Sequence, residues 1–335
     1  MKRFLPILLT APLLADPGDT VYQKGFLSKE EAHKSIELQD GYSLELVLSD
    51  PHIKEPMAMA WDGNGVLYVV EMRTYMQDAD ASGEKKPTSR ISRHEDTNGD
   101  GVYDKHSTFI DNLLLPRMVL PLDDRIMVGV TDTLDLWTYR DSDGDGVADE
   151  KVKIHEGGKR GGNMEHQPSG LVWNLDNSIY ITYENKSYRF TDEKLEVQQL
   201  PRGGGQWGIG QDDAGRLYYS TAGGEKPAFY FQQPITYGAL DLPGQEAEGF
   251  REVFPIADVP DVQGGARRVN DRGGLNNFTG CAGQGIYRGD RLPADLKGDL
   301  IIPEPVGRLI RRAKVTRKDG KTVLSNAYPE TEFIR

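Results

Sequence analysis

The chain has 335 residues and a formal net charge of -12, with 37% apolar and 27% charged residues. That length holds one large domain or two ordinary ones, and the composition is that of a soluble globular chain. The acidic balance argues against nucleic acid and anionic membrane surfaces as partners, because both select basic patches.

In chain order, "MKRFLPILLTAPLLADPGD" predicts a secretory signal over residues 1–15. Lys2 and Arg3 form its positive start, Phe4 to Leu14 its short apolar run, and Ala15 the small residue before cleavage. The run is too short to span a membrane, and no later stretch does so. The expected location is therefore periplasmic or secreted. Cys281 is the single cysteine, so no intramolecular disulfide and no Cys-x-x-Cys-His haem attachment exists within this chain.

Residues 16–40 read as a helical or linker segment. Within it, "SKEEAHKSIEL" (28–38) has Ser28 as N-cap and Glu31 completing a capping box. From 41 to 335 the pattern changes to short apolar runs bounded by turns, which predicts an all-β region. "MAMAWDGNGVLYVVEM" (57–72) is a strand, a tight Asp/Gly turn and a second strand. "RMVLPLDDRIMVGVT" (117–131), "SGLVWNLDNSIYITYE" (169–184) and "QWGIGQDDAGRLYYST" (206–221) repeat that plan. A looser fifth copy is "GQGIYRGDRLPADLKGDLIIPEP" (283–305). Each is a hairpin with Asp, Asn or Gly at its tip, where positive φ is needed. A single hairpin cannot bury its own apolar face, whereas several arranged radially can. The expected fold is an all-β propeller of the six-bladed type with a short N-terminal helix. No closing blade is recognisable at "NAYPETEFIR", so either the propeller is truncated at its C-terminal end or its closing strands are too degenerate to see.

Between the hairpins lie two acidic loops, "EDTNGDGVYDK" (95–105) and "DSDGDGVADE" (141–150). Asp141, Asp143 and Asp145 alternate, followed by Gly146 and Asp149; the upstream loop offers Asp96, Asn98, Asp100, Gly101 and Asp104. Alternation puts oxygens on one side of a curling backbone, and Val102 and Val147 add main-chain carbonyls. That suits Ca²⁺, a hard cation with six to eight oxygen ligands. The twelfth positions are Ser107 and Val152 rather than Glu, and the flanks read as β, so structural calcium loops are expected rather than helix–loop–helix sensors. A solvated acidic turn without metal is the alternative.

"EHQPSGLVWNLDNSIYITYEN" (165–185) places His166 directly before a strand, at the expected mouth of the propeller. Histidine accepts protons near neutral pH, and Glu165 beside it could tune or orient it. Most lone histidines are structural or exposed, so spacing alone leaves that reading open. "RGGG" (202–205) lacks the strand–loop–helix context of a phosphate loop.

This stretch resembles the segment of soluble quinoprotein sugar dehydrogenases in which an acidic residue and a histidine precede a strand. "PRGGGQWGIGQDDAGRLYYSTAGG" (201–224) is similar to that family's arginine-then-glutamine blade, with a spacing one residue longer. "GIYRGDRLPADLKGDLIIPEPVGRLIRRAKV" (285–315) is similar to its late blade. A closer resemblance is to the secreted planctomycete and verrucomicrobial proteins named membrane-bound dehydrogenases. It lies in "RHEDTNGDGVYDKHSTFIDNLLLP", "LWTYRDSDGDGVADEKVKI" and "NDRGGLNNFTGCAGQGIYRGDRLP".

The resemblance implies a pyrroloquinoline quinone site at the propeller mouth, with a sugar or alcohol as substrate and a cytochrome as electron acceptor. His166 would be the base, with Glu165 and Gln206 near the cofactor. Arg202 would polarise the quinone oxygens, and Arg308, with Arg311, would face the cofactor carboxylates. A further Ca²⁺ would bind the quinone. Two other readings stand beside this one. The first is a non-catalytic, calcium-stabilised propeller that binds glycans or a protein partner through Trp207, Tyr183 and Tyr237. The second is a lactonase-type hydrolase with an axial Ca²⁺ on Glu71, Asn270 and Asp271.

Overall fold

The computed structural model describes residues 27–191, 194–201, 203–220, 250, 253, 269–271, 275, 276, 278, 280–319 and 321–335. The expected signal at 1–15 lies outside these, as do Arg202 and Tyr237. Helix α1 (Lys29–Ser35) opens the described chain, with the Ser28–Glu31 capping box formed. None of its residues is buried. No helix of the described residues is long and apolar enough to cross a membrane.

Strands and turns make up nearly all the rest. β1 (Pro56–Trp61), β2 (Leu67–Glu71), β3 (Ser89–Glu95) and β4 (Lys105–Leu113) form an antiparallel sheet in chain order. The meander recurs in β5 (Pro116–Pro121), β6 (Ile126–Val130), β7 (Leu136–Arg140) and β8 (Glu150–His155). It recurs again in β9 (Gly170–Trp173), β10 (Ile179–Ile181), β11 (Lys186–Thr191) and β12 (Lys194–Gln199). A two-stranded sheet, β13 (Gly210–Gln211) with β14 (Leu217–Tyr218), follows. The last sheet is β15 (Gly285–Ile286), β16 (Leu300–Glu304), β17 (Leu309–Lys318) and β18 (Lys321–Asn326).

First strands lie side by side. Met118 of β5 pairs in parallel with Gly170 of β9, β1 packs on β5, and β13 packs on β15. Meanders that run outward from neighbouring first strands are the blades of a β-propeller, and the expected fold is present. The five hairpins expected from the sequence are the first two strands of each sheet.

The core lies between blades. Ile91 and Phe109 of the first blade meet Ile126 and Val128 of the second, and Met118 and Met127 of the second meet Leu171 and Ile179 of the third. Tyr180 and Leu217 continue the series to β14. Second strands are the most buried, because strands flank them on both sides and blades on both faces; all five residues of β2 are buried. The outermost β8, "EKVKIH", has four exposed residues.

In an antiparallel meander successive connections leave from opposite ends. Connections after second and fourth strands therefore share one end, called upper below. Connections after first and third strands share the lower end. This placement separates the histidine from the acidic loops.

Candidate functional site

Residues 163–168 turn at the upper end, just before β9. The His166 amide donates to the Asn163 carbonyl at 3.1 Å, and the Glu165 amide to Asn163 Oδ1 at 2.8 Å. Three blades hold this turn from outside. Arg117 of β5 is 2% exposed and donates to four main-chain carbonyls: Met164 (2.9 Å), Glu165 (3.3 Å), Gln167 (3.2 Å) and Pro168 (3.2 Å). Its guanidinium also lies 3.9 Å from the centre of the Trp207 ring. Burial pushes Arg117 down to about 10, so it stays cationic near neutral pH. Gln206, before β13, donates from Nε2 to the Glu165 carbonyl at 2.8 Å. From the first blade, the Tyr75 hydroxyl donates to Glu165 Oε1 at 3.0 Å.

Further contacts tie the neighbouring connections together. Gln167 exchanges two hydrogen bonds with Asp132, which pairs with Lys85 at 2.8 Å. Arg160 bonds Glu184 and the His166 carbonyl. The His166 ring is exposed and lies 6.1 Å from the Tyr183 ring, tilted by 29°. Tyr183 itself has φ 67°, a backbone conformation that the surroundings must enforce at some cost. Among the described residues the His166 imidazole makes no hydrogen bond, and Glu165 Oε2 accepts none.

The structure treats the other expected cofactor residues differently. Arg311 is corrected: it is buried in the last blade, its Nε 2.9 Å from Glu332 Oε2 and its Nη2 on Glu332 Oε1. Its Nη1 donates to the Phe250 carbonyl, and its face covers Phe278 at 4.3 Å. A guanidinium so committed does not fit a cofactor carboxylate. Gln206 brackets the turn through its Nε2, and among the described residues its buried Oε1 has no hydrogen-bond partner. Arg308 is exposed in the tight turn between β16 and β17, at the upper end, with φ 55°. Of the other expected quinone contacts, Glu165, Gln206 and Arg308 lie at the upper end, and Arg202 lies outside the described residues. Glu71 does not fit an open axial ligand either, because it is fully buried on Arg90 Nε (2.8 Å) and the Lys54 amide (2.9 Å).

Sequence reasoning missed Arg117 and Tyr75. Arg117 carried a signal, a charged residue inside the apolar run "LPRMVLP". Tyr75 carried none.

The two acidic loops lie at the lower end, joining β3 to β4 and β7 to β8. In the second, Asp141 accepts from the Gly144 and Gly146 amides at 2.7 and 2.8 Å, and Asp145 from the Val147 amide at 2.8 Å. Gly144 and Gly146 have φ 82° and 89°, which glycine adopts without strain. Oxygens of Asp141, Asp143 and Asp145 lie within 4.8 Å of one another, about twice a calcium–oxygen bond, so the set fits that ion. Asp149 stands apart, with both oxygens on Ser142, and Asp104 does the same to Thr97. These two close the loops from behind.

Comparison with known proteins finds likenesses in fold. The chain is similar to the holo PQQ domain of pyranose dehydrogenase from Coprinopsis cinerea, at 12% identity and TM-score 0.47, over 89% of this chain and 86% of that one. It is similar to a Thermus thermophilus protein provisionally assigned as an oxidoreductase (glucose dehydrogenase), at 14% identity and TM-score 0.48, over 88% and 87%. It is also similar to a gluconolactonase from Xanthomonas campestris, at 13% identity and TM-score 0.37, over 53% of this chain and 58% of that enzyme's length. No curated protein matches it. Residues 28–335 match a family model described as a domain of unknown function, and the chain belongs to that family, DUF7133.

Proposed function

We propose that this propeller is an exported oxidoreductase of sugars or alcohols, with His166 accepting the proton of the reacting hydroxyl. One observation carries the reading. Three blades converge on the Glu165–His166 turn through Arg117, Gln206 and Tyr75, yet the imidazole itself is exposed and makes no hydrogen bond among the described residues. A side chain held by rigid surroundings and left open is placed for a ligand. A purely glycan-binding surface is less well supported, because Arg117 covers one face of Trp207 and Tyr183 lies against His166.

The hydride acceptor in this reading is a bound quinone of the pyrroloquinoline type, carried by the sequence resemblance, with Arg308 and Arg202 as its cationic contacts. When bound, it would supply a two-electron acceptor; a cytochrome would then take the electrons. Calcium is proposed for the lower loops as a structural ion. Titrating metal-stripped protein with pyrroloquinoline quinone, with and without Ca²⁺, tests this, followed by dye reduction across a sugar panel. Saturable binding with dye reduction that His166→Ala abolishes is expected. Absence of both binding and reduction would overturn the assignment.

A further inference from the structure

We infer that His94 and His106 form a site for a transition-metal ion of the Cu²⁺ type, bound by their two Nδ1 atoms at the lower end of the first blade, with Ser92 as the positioning residue. The site uses neither the upper turn nor the carboxylates of the acidic loops, and it does not depend on the function proposed above.

The two histidines sit opposite each other on β3 and β4, and their Nδ1 atoms face across 2.9 Å. An imidazole nitrogen binds a divalent ion of this kind at about 2.0–2.1 Å, so two nitrogens at that separation subtend about a right angle at the ion. That is the angle between neighbouring ligands in a square-planar or tetragonal site, the geometry of Cu²⁺ with nitrogen and oxygen; tetrahedral Zn²⁺ asks for a wider one. The ion lies off the line joining the nitrogens, which the broad χ2 torsion of histidine permits. His94 is fully buried and His106 half-buried, so His106 does most of the turning and water completes the shell on its side.

The hydrogen bonds around His94 prepare it as a ligand. Ser92 Oγ faces the Val69 carbonyl at 3.5 Å, where a hydroxyl can only donate, so it accepts from His94 Nε2–H at 2.9 Å. His94 is thereby held as the Nε2–H tautomer with its Nδ1 lone pair directed at His106, and the proton between the rings belongs to His106 Nδ1. An incoming ion takes the place of that proton, which reappears on His106 Nε2. Two neutral imidazoles thus become two ligands with no net loss of a proton. Among the described residues no carboxylate bonds either ring, so neither is held as an imidazolium. His52 stacks on His106 with ring centres 3.8 Å apart, and Tyr103 meets His94 edge-on at 6.5 Å, which packs the pair from two sides. The bound ion joins β3 to β4 beneath the first acidic loop.

The test titrates the protein with Cu²⁺ in excess Ca²⁺, so that the acidic loops are occupied. Calorimetry reads the affinity, and electron paramagnetic resonance reads the ligands. A saturable site whose spectrum shows coupling to two imidazole nitrogens is expected. His94→Gln and His106→Gln should each remove one nitrogen and weaken binding by about tenfold or more. Ser92→Ala keeps both ligands and should weaken binding by roughly tenfold, as loss of an outer-shell partner does. In metal-free protein, nitrogen NMR of the imidazoles should find His94 protonated at Nε2, and Ser92→Ala should relax that preference, a readout that a merely structural serine leaves unmoved. Melting temperatures check folding, and if the buried His94→Gln does not fold, His106→Gln reads the site. Absence of saturable binding would overturn the inference. So would a spectrum and affinity that survive both histidine substitutions, or a His94 protonated at Nδ1.

Discussion

The two acidic loops are the same device built twice, on different foundations. Asp96 bonds the Gly99 and Gly101 amides as Asp141 bonds those of Gly144 and Gly146. Thr97 closes on Asp104 as Ser142 closes on Asp149. The differences lie in charge and in what stands beneath. Asn98 replaces Asp143, and its amide donates to Asp100 at 3.1 Å, so the first loop has one carboxylate fewer. The first loop stands on a histidine pair, His94 opposite His106, with Nδ1 atoms 2.9 Å apart. The second stands on Tyr139 opposite Lys151, whose ammonium lies 4.4 Å from the Trp137 ring centre. The second loop also docks on the first blade, where Ser107 donates to the Gly146 carbonyl and the Ala148 amide to that of Phe109. A motif recognised by its spacing thus fixes its own internal hydrogen bonds, while the strands below set its charge sensitivity.

That contrast can be broken most directly with calcium. In metal-stripped protein, added Ca²⁺ should raise the melting temperature, by roughly 2–4 °C per kcal/mol of binding. Asp141→Ala should remove most of the rise and Asp96→Ala a smaller part, because the second loop has the higher ligand charge. Equal losses would show that Asn98 costs the first loop nothing.

Acid should separate the loops next. Burial, with His106 second, pushes His94 down to about 4. His94 is therefore neutral in the folded chain while an unfolded histidine takes up a proton below about 6.5. The unfolded state binds more protons between those values, so stability is full above about 6.5 and falls as pH drops toward 4. In metal-free protein the unfolding free energy read by urea titration should fall between pH 7 and 5, by an amount on the order of 1–3 kcal/mol. His94→Gln should flatten that dependence, while a profile unchanged by it would place the acid sensitivity elsewhere. The smallest effect should come from Ser107→Ala, which removes one interblade hydrogen bond. A loss of about 1 kcal/mol in chemical denaturation is expected, with Ca²⁺ binding retained.

The hairpins were legible because first and second strands carry apolar runs around Asp/Gly turns, and the second strands are the most buried. The outer strands were not. "KLEVQQ" is polar because this outermost strand is largely exposed, whereas "SRISRHE" buries Ser89, Ser92 and His94 in hydrogen bonds, and the pairing of both comes from the neighbouring strand rather than from their own pattern. At the upper end the local pair Glu165–His166 could be read from sequence. Tyr75, 90 residues upstream of Glu165, could not, since only the packing of one blade on the next brings them together. Arg311 shows the opposite error. It sits in a string of cations, "GRLIRR", that invites an anion, and the anion is Glu332 from its own chain.

The glycine run before β13 bears on how a mutational scan of this protein would be read. A β-carbon at Gly203 would lie 2.5 Å from the Glu184 carbonyl oxygen, and one at Gly204 would lie 2.4 Å from the Tyr219 ring. Gly203 will resist every side chain, alanine included, because the atoms it meets are backbone, and at Gly204 the Tyr219 side chain must move before any β-carbon fits. Their intolerance records crowding between neighbouring loops, so a scan scored for folded protein as well as for turnover is needed to tell them from the residues that meet a ligand.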